Sequence, residues 1–239
     1  MSSKEVGAKS GSQASPKNEV KFSEKLNNFM YSYRTWFIGF GAVVLATVVG
    51  LGIWTVVSSS ILKNSTIAIE ELEKSFQEAG AADEGFDSTA SQGLIEQADA
   101  IMAKYGKRYA AAKASIIKAD ILMASNDLVA AEKAYAASAE SYPKSHIAPV
   151  ALSNAASAAE DRGDAEAALT HLLKAETQYP GAPGADRITL SIGRIYEASK
   201  QYGKAMEAYA RLIASGRESD WTKLAHTRII LLKSQGLAQ

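Results

Sequence analysis

The chain has no cysteine among its 239 residues. That excludes a disulfide framework and any thiolate metal site. Histidine is nearly absent too: His146, His171 and His226 are scattered, with no metal-ligand spacing. There is no Gly-rich phosphate loop, no GxSxG and no HExxH, so none of the short motifs with a known mechanism is present. The one adjacent carboxylate pair in the repeats, Glu160-Asp161, falls at a helix end, where carboxylates are normally just solvated. No block is basic enough, or interleaved enough with aromatics, for nucleic acid. These absences point away from an enzyme and imply no cofactor and no metal.

Net charge is also absent, but the formal zero conceals a gradient. Residues 1–34 carry a net +3, residues 63–100 a net −7, and residues 101–239 a net +4. Between the first two blocks lies TWFIGFGAVVLATVVGLGIWTVVSSSIL, residues 35–62, without a single charge. A bilayer core needs about 20 apolar residues, so this run predicts a membrane-spanning helix. Trp36 and Trp54 stand 18 residues apart, or roughly 27 Å along a helix, which suits indoles at two water interfaces. A cleaved signal would have a shorter apolar region and an Ala-x-Ala-like site. Here the run ends in Ser58-Ser59-Ser60, so an uncleaved anchor is expected. Lys17, Lys21, Lys25 and Arg34 precede it, and only Lys63 and Lys74 follow closely. The basic flank stays in the cytoplasm, placing residues from about 63 onward outside it.

Four segments result. Residues 1–34 form a cytoplasmic tail whose first 20 positions are too polar to order, followed by an amphipathic stretch with Phe22, Leu26, Phe29, Met30 and Tyr33 at helical spacing. That stretch reads either as a helix lying on the inner membrane surface or as an extension of the spanning one. Residues 35–62 are the anchor. Within it Ala42, Ala46 and Gly50 recur every four residues, a stripe of small side chains that lets another helix approach closely. Residues 63–90 read as an acidic linker helix, with Glu70, Glu71, Glu73 and Glu78, and a Gly/Asp-rich loop. Residues 91–239 form the main domain.

That domain repeats. Residues 112–143, 149–180 and 186–217 align without gaps at an offset of 37. Small residues recur at Ala119, Ala156 and Gly193, and at Ala131, Ala168 and Ala205. Bulky ones recur at Tyr135, Leu172 and Tyr209, and Tyr142-Pro143 matches Tyr179-Pro180, with Tyr105 one period earlier. Each unit reads as two helices (A, then B) broken at Asn126-Asp127, Arg162-Gly163-Asp164 or Gln201-Tyr202-Gly203. A helix pair cannot bury its apolar face alone, so neighbours must stack. The fold class expected is all-α: one apolar helix, then a right-handed solenoid of helix pairs closed by a capping helix over Ser219–Ser234.

The units resemble the tetratricopeptide repeat, with three extra residues in the connection. They depart from it in lacking the Trp of helix A, in Ala159 where Tyr is usual, and in Arg217 where Pro is usual. The resemblance implies a concave groove lined by helix A residues: Lys113, Ile116, Asp120 and Met123, then Val150, Ser153, Ser157 and Glu160, then Arg187, Leu190, Arg194 and Glu197. Some members hold a peptide carboxylate with Lys, Arg and Asn. Asn154 and Arg187 match two such positions here, but Ile116 and Asp120 replace the required Lys and Asn, so no carboxylate clamp is expected.

Taken whole, the architecture resembles the YfgM-like ancillary subunits of the Sec translocon and the related cell-division coordinator repeat proteins. The resemblance implies a periplasmic repeat domain on the bacterial inner membrane, with the translocon, periplasmic chaperones or their clients as protein partners. A self-assembling scaffold that organises envelope machinery, homo-oligomeric through its membrane helix or repeat ends, is the alternative.

Overall fold

The computed structural model describes residues 17–81, 86 and 88–237. Among them are ten α-helices and no strand. α1 spans Lys17–Ser32 and α2 Arg34–Gly80, followed by α3 Ser88–Tyr105, α4 Tyr109–Ala124, α5 Leu128–Ser141 and α6 Ile147–Asp161. α7 covers Ala165–Gln178, α8 Ala185–Ala198, α9 Tyr202–Ala214 and α10 Asp220–Ser234. Most of the tail expected to be disordered lies outside the described residues, but positions 17–20 belong to α1.

The first compact unit ends at Ile61. Only Tyr33 interrupts the helical run from α1 into α2, and its hydrogen bonds carry through. Tyr33 N donates to Phe29 O at 3.1 Å and Phe37 N to Tyr33 O at 2.9 Å. Backbone continuity therefore favours α1 as an extension of α2 over a separate helix turned aside. Every described side chain from Lys21 to Ser60 is exposed. The hydroxyls of Thr47, Thr55 and Ser59 turn back onto the carbonyls of Val43, Gly52 and Val56 at 2.8–2.9 Å. These three hydroxyls are thus satisfied within the helix, and the side chains around them are mostly apolar and exposed.

The second unit comprises Leu62–Gln239. It therefore takes in the acidic segment read as a linker: Ser65, Ile69 and Leu72 on α2 are buried, and the Phe76 and Phe86 rings lie 5.3 Å apart. From α3 onward each helix packs on the next, and α4 also touches α6 while α8 touches α10. The core is built of alanine and large aliphatics, among them Ile121, Leu152, Leu172, Ile192, Leu212 and Leu232, with the Tyr209 ring. The recurring small residues Ala119, Ala131, Ala156, Ala168 and Ala205 are all buried where helices cross.

The turns repeat as closely as the helices. After each A helix one residue adopts the left-handed conformation: Asn126 (φ 60°), Gly163 (φ 84°) and Lys200 (φ 58°), each 37 residues from the next. The amide one residue later donates five residues back, to Leu122, Ala159 or Tyr196, at 2.8–3.0 Å. This is the Schellman closure, which favours glycine or asparagine at the left-handed position. Asp127 and Asp164 then cap α5 and α7, accepting from Ala130 N at 3.1 Å and Ala167 N at 2.9 Å. α10 ends the same way at Gly236 (φ 69°), with Leu237 N donating to Leu232 O at 3.0 Å. The capping helix thus terminates as a fourth A helix would.

The B helices α5 and α7 end differently, on tyrosine. Tyr142 OH donates to Gly106 O and Tyr179 OH to Pro143 O, both at 3.1 Å and both reaching 36 residues back. These bonds fix each B–A turn against the preceding one. The Tyr105 hydroxyl, first in the series, is buried without a partner among the described residues.

Candidate protein-binding surface

The twelve residues assigned to the groove all lie on the A helices α4, α6 and α8. α4 touches α6 and α8 touches α10, so A helices of neighbouring units meet in these two places. Val150, Ser157, Arg187 and Arg194 are exposed, and Lys113, Ile116, Asp120, Met123, Ser153, Glu160 and Glu197 are half-buried. Leu190 is a correction: it is buried with Tyr209, Leu212 and Leu232 and offers no surface. Its neighbour in the helical turn, Arg187, takes the outward position instead.

Most polar members of the row are paired along the stack. Arg194 Nη2 donates to both oxygens of Glu160, at 2.7 and 2.8 Å. Arg187 Nη2 donates to Ser153 Oγ at 3.2 Å. Lys113 Nζ lies 2.8 Å from Glu73 of α2, and that hydrogen bond, against some burial, raises the lysine pKa. Glu197 accepts from Tyr209 OH at 2.8 Å and forms an ion pair with Arg228 of α10.

Two of these clusters stand at matching places. In the first, Tyr135 OH donates to Asp120. Burial raises the pKa of Asp120, against the hydrogen bond and the Lys113 charge, and burial likewise pushes the Tyr135 phenol up. In the second, burial and then the Glu197 hydrogen bond push the Tyr209 phenol up. In the middle unit Leu172 occupies the same position and the cluster is missing. Of the positions compared with a carboxylate clamp, Ile116 packs into the core and Arg187 is engaged with Ser153.

A second ladder joins other helices of neighbouring units. Burial pushes the Glu132 carboxyl of α5 up, but hydrogen bonds with His171 and Arg162 and the Arg162 charge outweigh it and hold its pKa below the usual value. Arg162 Nη2 donates to Glu132 Oε2 at 2.6 Å, and His171 Nε2 lies 3.0 Å from Oε1. Lys174 reaches Glu140 at 3.0 Å and Arg211 reaches Glu176 at 3.2 Å. His171 is thus a structural contact between α5 and α7. No group of three His, Cys, Asp or Glu side chains that could hold a metal occurs among the described residues.

These pairs escaped the sequence reading, although a signal was present. Glu140–Lys174, Ser153–Arg187 and Glu160–Arg194 are each 34 residues apart. That is one repeat period less about one helical turn, the register at which equivalent helices meet side by side. In the apolar helix, Ala42, Ala46 and Gly50 are exposed, and a Cβ on Gly50 would meet no atom within 4 Å. The stripe stands open.

The profile of the tetratricopeptide repeat-like domain matches residues 27–239, which includes the apolar helix. A TPR repeat-containing protein of Treponema pallidum (strain Nichols) is 31% identical over 131 residues, 55% of this chain and 54% of that one. The chain thus spans about half the length of that relative. Among solved structures, a tetratricopeptide repeat protein from Parabacteroides merdae superposes with a TM-score of 0.50 at 20% identity, covering 71% of this chain and 60% of the other. A Rap protein complexed with competence and sporulation factor gives 0.47 at 20% identity, covering 71% and 54%.

Proposed function

Because this chain belongs to the tetratricopeptide repeat-like domain family, we propose that it holds partner proteins on its repeats while residues 35–62 anchor it in a bilayer. Repeats of this type are protein-interaction modules, and no catalytic family is indicated. The observation that carries the anchor is the surface of α2. Its apolar half has mean hydropathy 2.2 and is wholly uncovered by protein. In water such a surface would be an aggregation hazard, and in a bilayer it is ordinary.

The basic flank ending at Arg34 orients the repeats outward, on the periplasmic side of a bacterial inner membrane. The A row then offers partner proteins a mixed surface of Val150, Ser157, Arg187 and Arg194. The likeness to YfgM-like subunits supports clients or chaperones near the Sec translocon. A reporter active only outside the cytoplasm, fused after Gln239, will be active. Crosslinking in intact membranes will recover translocon components or periplasmic proteins. An inactive reporter overturns the orientation, and crosslinks confined to copies of this chain favour the scaffold reading. The open stripe Ala42–Ala46–Gly50 is the observation on that second side.

A further inference from the structure

A different face of the repeats carries a site that the A row does not explain. The α3–α4 turn reads Lys104-Tyr105-Gly106-Lys107-Arg108-Tyr109, and the α5–α6 turn reads Tyr142-Pro143-Lys144-Ser145-His146. The two turns enclose a cleft of about 440 Å³ lined by Lys107, Tyr109, Ser141, Tyr142, Pro143 and Lys144 among others. This is the size of pocket that takes a bulky side chain or small ligand. Its walls are ring faces and apolar stems, and no carboxylate lines it.

The charge around it is unbalanced. Lys104, Lys107, Arg108 and Lys144 are exposed, and no carboxylate lies within ion-pair distance of any of them among the described residues. The nearby acids are taken: Asp99 pairs with Lys118 and Glu140 with Lys174. Most other cations of the repeats are engaged, whereas here four stand together without a carboxylate among the described residues. The site is also held in shape. Tyr142 OH is tied to Gly106 O, and Lys107 Nζ donates to Ser141 O at 2.9 Å while standing 5.3 Å from the Tyr142 ring centre. Tyr109 stacks on His146 at 5.7 Å.

We propose that this cleft is a second docking site, for a partner segment that carries carboxylates beside an aromatic side chain. The aromatic group enters between Tyr109, Tyr142 and Pro143, where rings pack edge to face or offset. Its flanking carboxylates meet Lys107 and Lys144, cations with no carboxylate partner among the described residues, whose charge raises association rate and selects against basic partners. A lipid headgroup plane would engage the lysines and leave the aromatic cleft empty, so the lining favours a peptide.

The test uses the full chain in a neutral detergent and a short labelled peptide of Glu, Asp and Gly with one central Phe, followed by fluorescence anisotropy. The parent binds, salt weakens binding, and replacing the Phe by Gly weakens it. Lys144→Glu, an exposed position without partners, weakens it roughly tenfold, and Lys107→Glu/Lys144→Glu weakens it further. Arg194→Glu on the A row leaves it unchanged, which separates this site from the groove. Circular dichroism confirms the helices of each variant. Equal affinity of Lys144→Glu and parent overturns the proposal. So does loss on Arg194→Glu alone, or binding to phosphatidylglycerol vesicles with none to the peptide.

Discussion

Gly193 shows how tightly single positions are set. A methyl group added there would stand 2.3 Å from the Tyr209 ring. Its counterparts Ala119 and Ala156 carry that methyl: Ala156 shares a cluster with Leu172, and Ala119 one with the Tyr135 ring, at a crossing spaced to hold both. Gly193→Ala gains about 1 kcal/mol of helix propensity but overpacks the crossing, which costs about 1–3 kcal/mol. The expected net effect is destabilisation, read as a lower denaturant midpoint. The double variant Gly193→Ala/Tyr209→Leu reproduces the middle unit's own pair and should recover much of the loss, leaving Glu197 still paired with Arg228. Lys200 is the opposite case. It holds the left-handed position occupied elsewhere by Asn126 and Gly163, where a side chain other than Asn costs about 1 kcal/mol. Lys200→Gly should therefore raise stability by up to about 1 kcal/mol, read as a higher denaturant midpoint, since glycine adopts that conformation freely. No rise would mean that the lysine is held there by something stronger than the turn.

Among the elements, the helix pairs were legible because packing requires them to be. The offset of 37, the small residues at crossings and the tyrosine stops are imposed by backbone proximity, and proximity leaves a residue pattern. The acidic segment after residue 62 was not legible as part of the stack, because a polar face is the same on a linker as on a terminal helix with one side buried. Leu190 was misassigned for a related reason. A helix A residue one position off the groove line points into the core, and periodicity alone does not fix the helix rotation that finely. The apolar element makes its own prediction. Ala46 lies midway along the open stripe, so Ala46→Ile should insert as well as the parent yet show weaker crosslinking between membrane helices, because branched bulk fills the approach groove. Unchanged crosslinking would leave the stripe as ordinary membrane-helix composition and the scaffold reading without its support.

At the scale of the whole stack, stability is a sum of units and of interfaces between neighbours, and the acid limb of unfolding should report the interfaces. Glu132 is the clearest reporter. Its side chain is only 15% exposed and meets both Arg162 and His171, in the next unit. Its folded pKa lies below the unfolded one. Its contribution is therefore complete above the unfolded value, about 4.3, and is lost as pH falls through the folded one. Asp120 runs the other way. Burial raises its pKa, so it binds its proton more readily folded than unfolded and its cost at neutral pH is relieved on acidification. Glu132→Gln should then cost about 1.5–3 kcal/mol at pH 7, the worth of a hydrogen bond to charged groups. That cost should shrink below pH 4, where the parent loses the same interaction. Asp120→Asn should show the opposite sign: it removes a carboxylate that burial makes costly, so it gains stability over the parent at pH 7, and that gain disappears as Asp120 takes up its proton. Chemical denaturation followed by far-UV circular dichroism at neutral and acid pH measures both. A Glu132→Gln cost that stays constant with pH would show that the carboxylate does not bind the units through its charge.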